Sequence, residues 1–290
     1  MVQGKRLLAL RKMAQFGFFL LQNPFQKNFI SGKIYQGNIK VLCSPGLNCY
    51  SCPAAAVSCP IGAIQFFLTG LKSSISLYVT GFLMIIGVVF GRFICAYACP
   101  MGLLQDLLYR IKTPKLILRL RFLRYLKYLI LAVFVILLPV IASGLFGLGQ
   151  PWFCKYICPS GTIFGAVPLL LANDFLRGLI GAQFVLKIII AAAIVSAAVF
   201  IYRIFCRVLC PLGAIYALFN KIAILHMDCD REKCQSCGSC SRECQIMLSP
   251  ASQPNSPECV RCGRCVSACR SNALTCTIRR PKPLPPMPTS

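Results

Sequence analysis

Residues 234–244 read CQSCGSCSREC and residues 259–269 read CVRCGRCVSAC, so the pattern Cys-x2-Cys-x2-Cys-x3-Cys occurs twice. Two short gaps put three thiolates on one tight loop, and the fourth cysteine follows on a helical turn, the spacing that wraps a chain around iron–sulfur cubanes. In such a doubled run the fourth cysteine crosses to the other cluster. The spacing therefore assigns Cys234, Cys237, Cys240 and Cys269 to one [4Fe–4S] cluster, and Cys259, Cys262, Cys265 and Cys244 to a second. Gly238 and Gly263 fill the same slot in both loops, where a missing Cβ permits positive φ and lets backbone N–H groups approach sulfur. Structural zinc favours two separated CxxC pairs and a disulfide scaffold favours small secreted domains, so both are weaker readings.

The remainder is of another class, because 57% of the 290 residues are hydrophobic and only 13% charged, far from the soluble average. Charge-free runs at Ser73 to Gly91 and Tyr128 to Cys154 approach or exceed the ~20 apolar residues a bilayer requires. A third runs from about Leu179 to Tyr202 and contains Lys187, whose ammonium is expected to snorkel to the interface. Met13 to Leu21 is a weaker stretch that would lie in the interface or add a fourth span.

Thirty-one Lys and Arg stand against seven Asp and Glu, a formal charge of +24. Position decides its meaning. Arg92, Arg110, Lys112, Lys115, Arg119, Arg121, Arg124 and Lys127 lie between the first two spans, whereas the next loop carries little besides Lys155 and Arg177. The positive-inside rule makes the first loop cytoplasmic and puts everything after Arg203 inside as well. Anionic lipid and acidic redox partners account for these basic faces without nucleic acid.

A second repeat, Cys-Pro-x-Gly, occurs four times at membrane boundaries: Cys59 to Gly62, Cys99 to Gly102, Cys158 to Gly161 and Cys210 to Gly213. Three copies have another cysteine four residues upstream, Cys95, Cys154 and Cys206, while the first has Ala55 there and Cys43, Cys49 and Cys52 further back. With cysteine as N-cap and proline as first helical residue, the helix N-terminus faces the sulfur and favours a thiolate-ligated cluster. Topology groups Cys95, Cys99, Cys206 and Cys210 on the inner side as one ligand set. Six cysteines lie outside, of which Cys49, Cys52, Cys154 and Cys158 are the first choice, with Cys59 the main rival and Cys43 a further alternative. An outer disulfide is the competing reading, and buried packing the bland one. Seven acidic residues leave few agents for acid–base chemistry, and no phosphate loop or nucleophile triad is present.

The CxxxCP pairs together with the doubled cubane run resemble the membrane-bound polyferredoxins of the NapH and NosR type, from about Ile39 to Ala273. The tail itself resembles the bacterial two-cluster ferredoxin, with Gln245 and Arg270 where that family usually has proline. The strings from Cys43 to Pro53 and from Pro151 to Pro159 look like those of one bacterial branch. The resemblance implies cluster ligation at the matched cysteines and transfer of electrons between a quinone pool or cytoplasmic donor and a partner enzyme.

The expected protein is mostly α: a polytopic membrane bundle of three or four spans with short re-entrant or interfacial helices, ending in a small α+β ferredoxin-like domain. Its parts are 1–72 (N-terminal helix and outer cysteines), 73–226 (transmembrane), 227–280 (two clusters) and 281–290 (disordered tail). It carries two [4Fe–4S] clusters in the tail and one or two more at the membrane faces, with a quinone or flavin as further cofactor. Its partners are a cytoplasmic donor or acceptor protein, a membrane partner or quinone, and the bilayer of the bacterial cell membrane. The expected role is an electron relay within an oxidoreductase system rather than a stand-alone enzyme; a redox sensor or assembly protein and a membrane metal-ion reductase are the alternatives.

Overall fold

The computed structural model describes residues 2–69, 74–116, 122–146 and 149–278. Ser73, Arg119, Arg121 and the tail from Pro281 to Ser290 lie outside the described residues. The main helices are α1 (Val2–Gln22), α2 (Pro60–Leu68), α3 (Ser74–Phe90), α4 (Pro100–Leu108), α5 (Leu123–Ala142), α6 (Pro159–Ala172), α7 (Ala182–Phe200) and α8 (Pro211–Phe219). Four of them, α2, α4, α6 and α8, start on the proline of the repeated element. In each, the preceding cysteine is the N-cap in extended backbone, where proline at the first helical position sacrifices no hydrogen bond.

Helices α5 and α7 are long and apolar enough to cross a membrane, and only 22% and 17% of their apolar windows are buried within the chain. Their apolar surface thus faces outward rather than into a protein core. Helix α3 is equally apolar but has 17 residues, short of the ~20 a level crossing needs. Helix α1 buries Arg11 and Gln15 against the rest of the chain, which sets it apart from the two candidate spans.

Strands β1 (Leu225–Cys229) and β2 (Leu274–Ile278) pair antiparallel, Leu225 opposite Ile278, and enclose both cysteine loops in sequence. Gly238 and Gly263 have φ of 69° and 80°, as the spacing requires, and Ser236 and Arg261, each just before the second cysteine of its loop, are also left-handed. Met247 and Asn272, three residues after each fourth cysteine, match as well, so the two loops repeat in backbone as in sequence.

This head is tied to the helical unit by residues 255–261. Glu258 accepts from Arg92 at 3.1 Å and Lys127 at 2.7 Å, Asn220 donates to the carbonyls of Ser256 and Cys259, and Arg261 donates to the carbonyls of Phe90 and Asn220. The ends of α3 and α8 and the start of α5 therefore meet beneath the head. Burial pushes the Glu258 carboxyl up, but the Arg92 and Lys127 cations outweigh it and leave it below the ordinary carboxylate range. Removing one partner of a buried pair costs about 3–5 kcal/mol. Glu258→Gln should therefore speed hydrogen exchange of amides 255–261 by about 100-fold or more, with exchange inside α7 unchanged.

Candidate iron–sulfur centres

Four buried thiols, those of Cys95, Cys99, Cys206 and Cys210, converge where the short turns after α3 and α7 meet. Cys210 lies in the field of the other three, and Cys206 in that of Cys99 and Cys95. Donors surround them: the Leu47 N–H reaches the Cys99 sulfur at 3.5 Å, the Gly213 N–H that of Cys210 at 3.3 Å, and the Gln105 amide that of Cys206 at 3.1 Å. In all four Cys-Pro-x-Gly copies the cysteine caps the N-terminus of its helix, and in the Cys210 copy the glycine N–H donates to the cysteine sulfur. A Cβ on Gly102 or Gly213 would come within 3.0 Å of the Cys95 or Cys206 carbonyl oxygen, so glycine is required by space as well.

Two arginines lock this quartet reciprocally. Arg92, three residues before Cys95, donates to the carbonyl of Cys206 at 2.9 Å, and Arg203, three residues before Cys206, donates to that of Cys95 at 2.8 Å. Both are fully buried. Arg203 is held bidentately by Asp106, which Arg11 and Gln15 also reach. Burial pushes the Asp106 carboxyl up, but the two cations outweigh it and leave it at about 2. The sequence reading counted Arg92 as a loop charge and passed over Asp106; the arginine repeat three residues before each cysteine was the signal.

A second group holds Cys49, Cys59, Cys154 and Cys158. Cys154 lies in the field of Cys158, Cys59 and Cys49, and Cys59 in that of Cys158 and Cys49. Cys52, preferred over Cys59 from spacing, instead donates its thiol to the Phe164 carbonyl at 3.2 Å. A turn closed by the Cys52 N–H on the Cys49 carbonyl keeps Cys49 packed beside Cys52, but Cys52 is not among the cysteines in whose field Cys59, Cys154 and Cys158 lie. Cys43 pairs as an isolated bridge with Ser58. Lys187 does not snorkel outward but donates to the Cys154 carbonyl at 3.3 Å, and Phe153, next to Cys154, is wholly buried.

The two embedded quartets are neighbours. Outer cysteines and inner cysteines share one hydrophobic core, because α2 and α6 and the 43–59 segment fold in among the longer helices. Leu47, whose N–H contacts Cys99, precedes Cys49 by two residues, at most about 7 Å of chain. Tyr216, also buried, donates to the Pro45 carbonyl between the quartets and feels Cys95, Cys99 and Cys59 alike.

In the head, Cys259, Cys262, Cys244 and Cys265 share one field, which joins the fourth cysteine of the first run to three of the second. This set faces the helical unit through Tyr202, Ile246 and Val260. Cys240 and Cys269 pack over Met227 and Leu274 on the far side, with Cys237 exposed and Cys234 beside Cys229. Cys229, outside both cysteine runs, thus borders the first of the two loops.

The donor chemistry fits iron–sulfur clusters. All 20 cysteines are free, and burial raises the Cys259 thiol to about 11, so a thiolate there needs the countercharge a metal centre provides. Among the described residues no three Cys, His, Asp or Glu side chains converge tightly enough for a single ion; a cubane spreads its four thiolates more widely than one tetrahedral ion does.

The description "4Fe-4S binding domain" matches residues 74–122, 129–180 and 184–226, each holding one CxxxCP pair, and a second domain of the same description matches residues 254–275. The chain is 27% identical to an uncharacterized protein, MJ0750, of Methanocaldococcus jannaschii, over 75% of this chain and 85% of the relative. It is 26% identical to YccM of Escherichia coli, over 68% of this chain and 54% of YccM. It is 31% identical to the ferredoxin-type protein NapH of Escherichia coli, over 26% of this chain and 29% of NapH. No solved structure matches. With its cysteine runs, its CxxxCP repeats and these matches, the chain belongs to the membrane-bound 4Fe-4S polyferredoxin family.

Proposed function

We propose that the protein relays single electrons from a cytoplasmic donor, through two [4Fe–4S] clusters in the head and a centre on Cys95, Cys99, Cys206 and Cys210, to a centre on Cys49, Cys59, Cys154 and Cys158 and its acceptor. One observation carries this reading, the contact of the Leu47 N–H with the Cys99 sulfur, which joins the inner quartet to the segment bearing Cys49. The clusters supply the one-electron chemistry when bound. The chain's own residues hold the thiolates, exclude water by burial and offset charge through Arg92, Arg203 and Lys187. Three spans, α3, α5 and α7, anchor the relay in the cytoplasmic membrane with the head inside, α3 crossing where the bilayer thins to its length.

The test is sided. Protein in sealed vesicles is reduced at the head by an impermeant donor while an acceptor trapped on the other side is followed. The expected result is acceptor reduction that falls to background in the Cys154→Ala, Cys158→Ala variant; reduction that survives in that variant takes the outer quartet off the route.

A membrane quinone is a second reading, favoured by a cleft of about 410 Å³ between α1, α4 and the head. Gln15 Oε1, Tyr202 Oη, Gln245 Oε1 and Arg264 Nε have no hydrogen-bond partner among the described residues, and all four residues line it. Quinone recovered with the purified wild-type protein and lost from Tyr202→Phe would support exchange at this cleft.

A further inference from the structure

Two buried glutamines occupy the same place in the two embedded quartets. Gln65 and Gln105 each stand six residues after the cysteine of a Cys-Pro-x-Gly element, on α2 and α4, and neither has any exposure. The Gln65 carbonyl accepts from the Phe153 N–H at 2.9 Å, and its amide donates to the Cys154 sulfur at 3.4 Å. The Gln105 carbonyl accepts from the Phe205 N–H at 3.0 Å, and its amide donates to the Cys206 sulfur at 3.1 Å. Each amide also reaches the carbonyl four residues back in its own helix, that of Ile61 or Met101.

The receiving loops match too. Phe153 and Phe205 are each one residue before the first cysteine of a CxxxCP pair, and each accepts at its carbonyl from the N–H of the second cysteine, Cys158 at 2.9 Å and Cys210 at 3.0 Å. One side chain thus grips the start of a wide turn that presents two thiols, and the backbone bond from the second cysteine closes that turn on the same phenylalanine. The other two copies of the element have Phe164 and Tyr216 at the glutamine position, so each quartet contains one amide and no more from this source. A helix interior that is otherwise apolar tolerates a buried amide only when its groups are paired, and here the pairing is with ligand sulfur.

Resting on the reading of these quartets as cluster sites, we propose that Gln65 and Gln105 are matched positioning residues. Each holds its CxxxCP turn and, by donating to one ligand sulfur, sets the reduction potential of its own centre. Hydrogen bonds to cluster sulfurs are among the determinants of potential. A donor withdraws charge from the thiolate, and the reduced centre is the more negative one, so the amide favours reduction. The centre is then a better match for an electron arriving from the head.

The test uses the full-length protein purified anaerobically, with iron content and a redox titration followed by paramagnetic resonance. Gln105→Glu keeps the oxygen that accepts from Phe205 and replaces the sulfur donor by an oxygen; Gln105→Met removes both. Both variants are expected to retain iron, and at a fixed poise the inner centre is expected to become at least roughly tenfold more oxidised, about 59 mV for one electron. The head clusters and the outer centre should not move, and the Gln65 variants should shift the outer centre alone. An inner-centre potential unchanged in Gln105→Glu would overturn the proposal, as would equal loss of iron from both variants, which would make the amide a structural tie only. Absence of any embedded signal in the unsubstituted protein would instead sink the functional reading on which the proposal rests.

Discussion

Alanine in place of Cys206 is expected to remove about four irons from the full-length protein while the paired signals of the head remain. Cys95, Cys99 and Cys210 should behave alike, because a cubane held by four thiolates loses a quarter of its protein ligands with each. Cys206 should be the most damaging. Its loss also leaves the Gln105 amide with the Met101 carbonyl as its one remaining partner of the two, in a fully buried site where an unsatisfied N–H costs about 1–3 kcal/mol. Cluster binding is coupled to folding, so thermal unfolding of the helical unit should start lower than in the parent. The measurement is iron and acid-labile sulfide per chain, with paramagnetic resonance separating head from embedded signals. Four single variants with full iron and unchanged unfolding would reduce these cysteines to packing residues.

The head was legible in the sequence almost to the residue, since a tight loop of three thiolates admits few spacings. The left-handed turn at Gly238 and Gly263 followed from the same geometry. The Cys-Pro-x-Gly starts were legible for a similar reason: proline and an N-cap are local chemistry. Depth was not. Nothing in a linear reading tells whether Cys49 sits at a membrane face or two residues from an N–H that touches Cys99, because that depends on how α2 and α6 fold among their neighbours. Nor did hydropathy reveal Arg92, Arg203, Lys127, Asp106 and Glu258 as buried partners. A positive-inside count treats every arginine as a loop charge, whereas these two arginines are wholly enclosed and hold cysteine carbonyls. Four buried charged side chains around one acidic residue or another are costly unless each is paired. Their presence at the inner centre and the head joint marks where the helical unit must be rigid.

The choice between Cys59 and Cys52 makes the largest difference to the route. Close spacing favoured Cys49 with Cys52, as in a CxxC pair, but a turn that places two thiols side by side for one ion does not place them correctly for a cubane shared with a second loop. Cys59 is the N-cap of α2, so its sulfur lies at that helix's N-terminus, and it is in the field of Cys158, the N-cap of α6. Two helix N-termini then face one site, each favouring negative charge by about 0.3–1 kcal/mol or more when buried. Cys52 has no such helix behind it, and its thiol is already engaged by the Phe164 carbonyl. Cys59→Ala is therefore expected to lose about four irons and to bring reduction of the vesicle-trapped acceptor down to background. Cys52→Ala should keep full iron and most of the flux, at a stability cost of about 1 kcal/mol for the lost hydrogen bond. The opposite pattern, with iron lost from Cys52→Ala and kept in Cys59→Ala, would return the outer centre to Cys49, Cys52, Cys154 and Cys158. It would also move that centre away from Tyr216, the side chain that feels Cys59 together with the inner quartet, and so lengthen the final step of the relay.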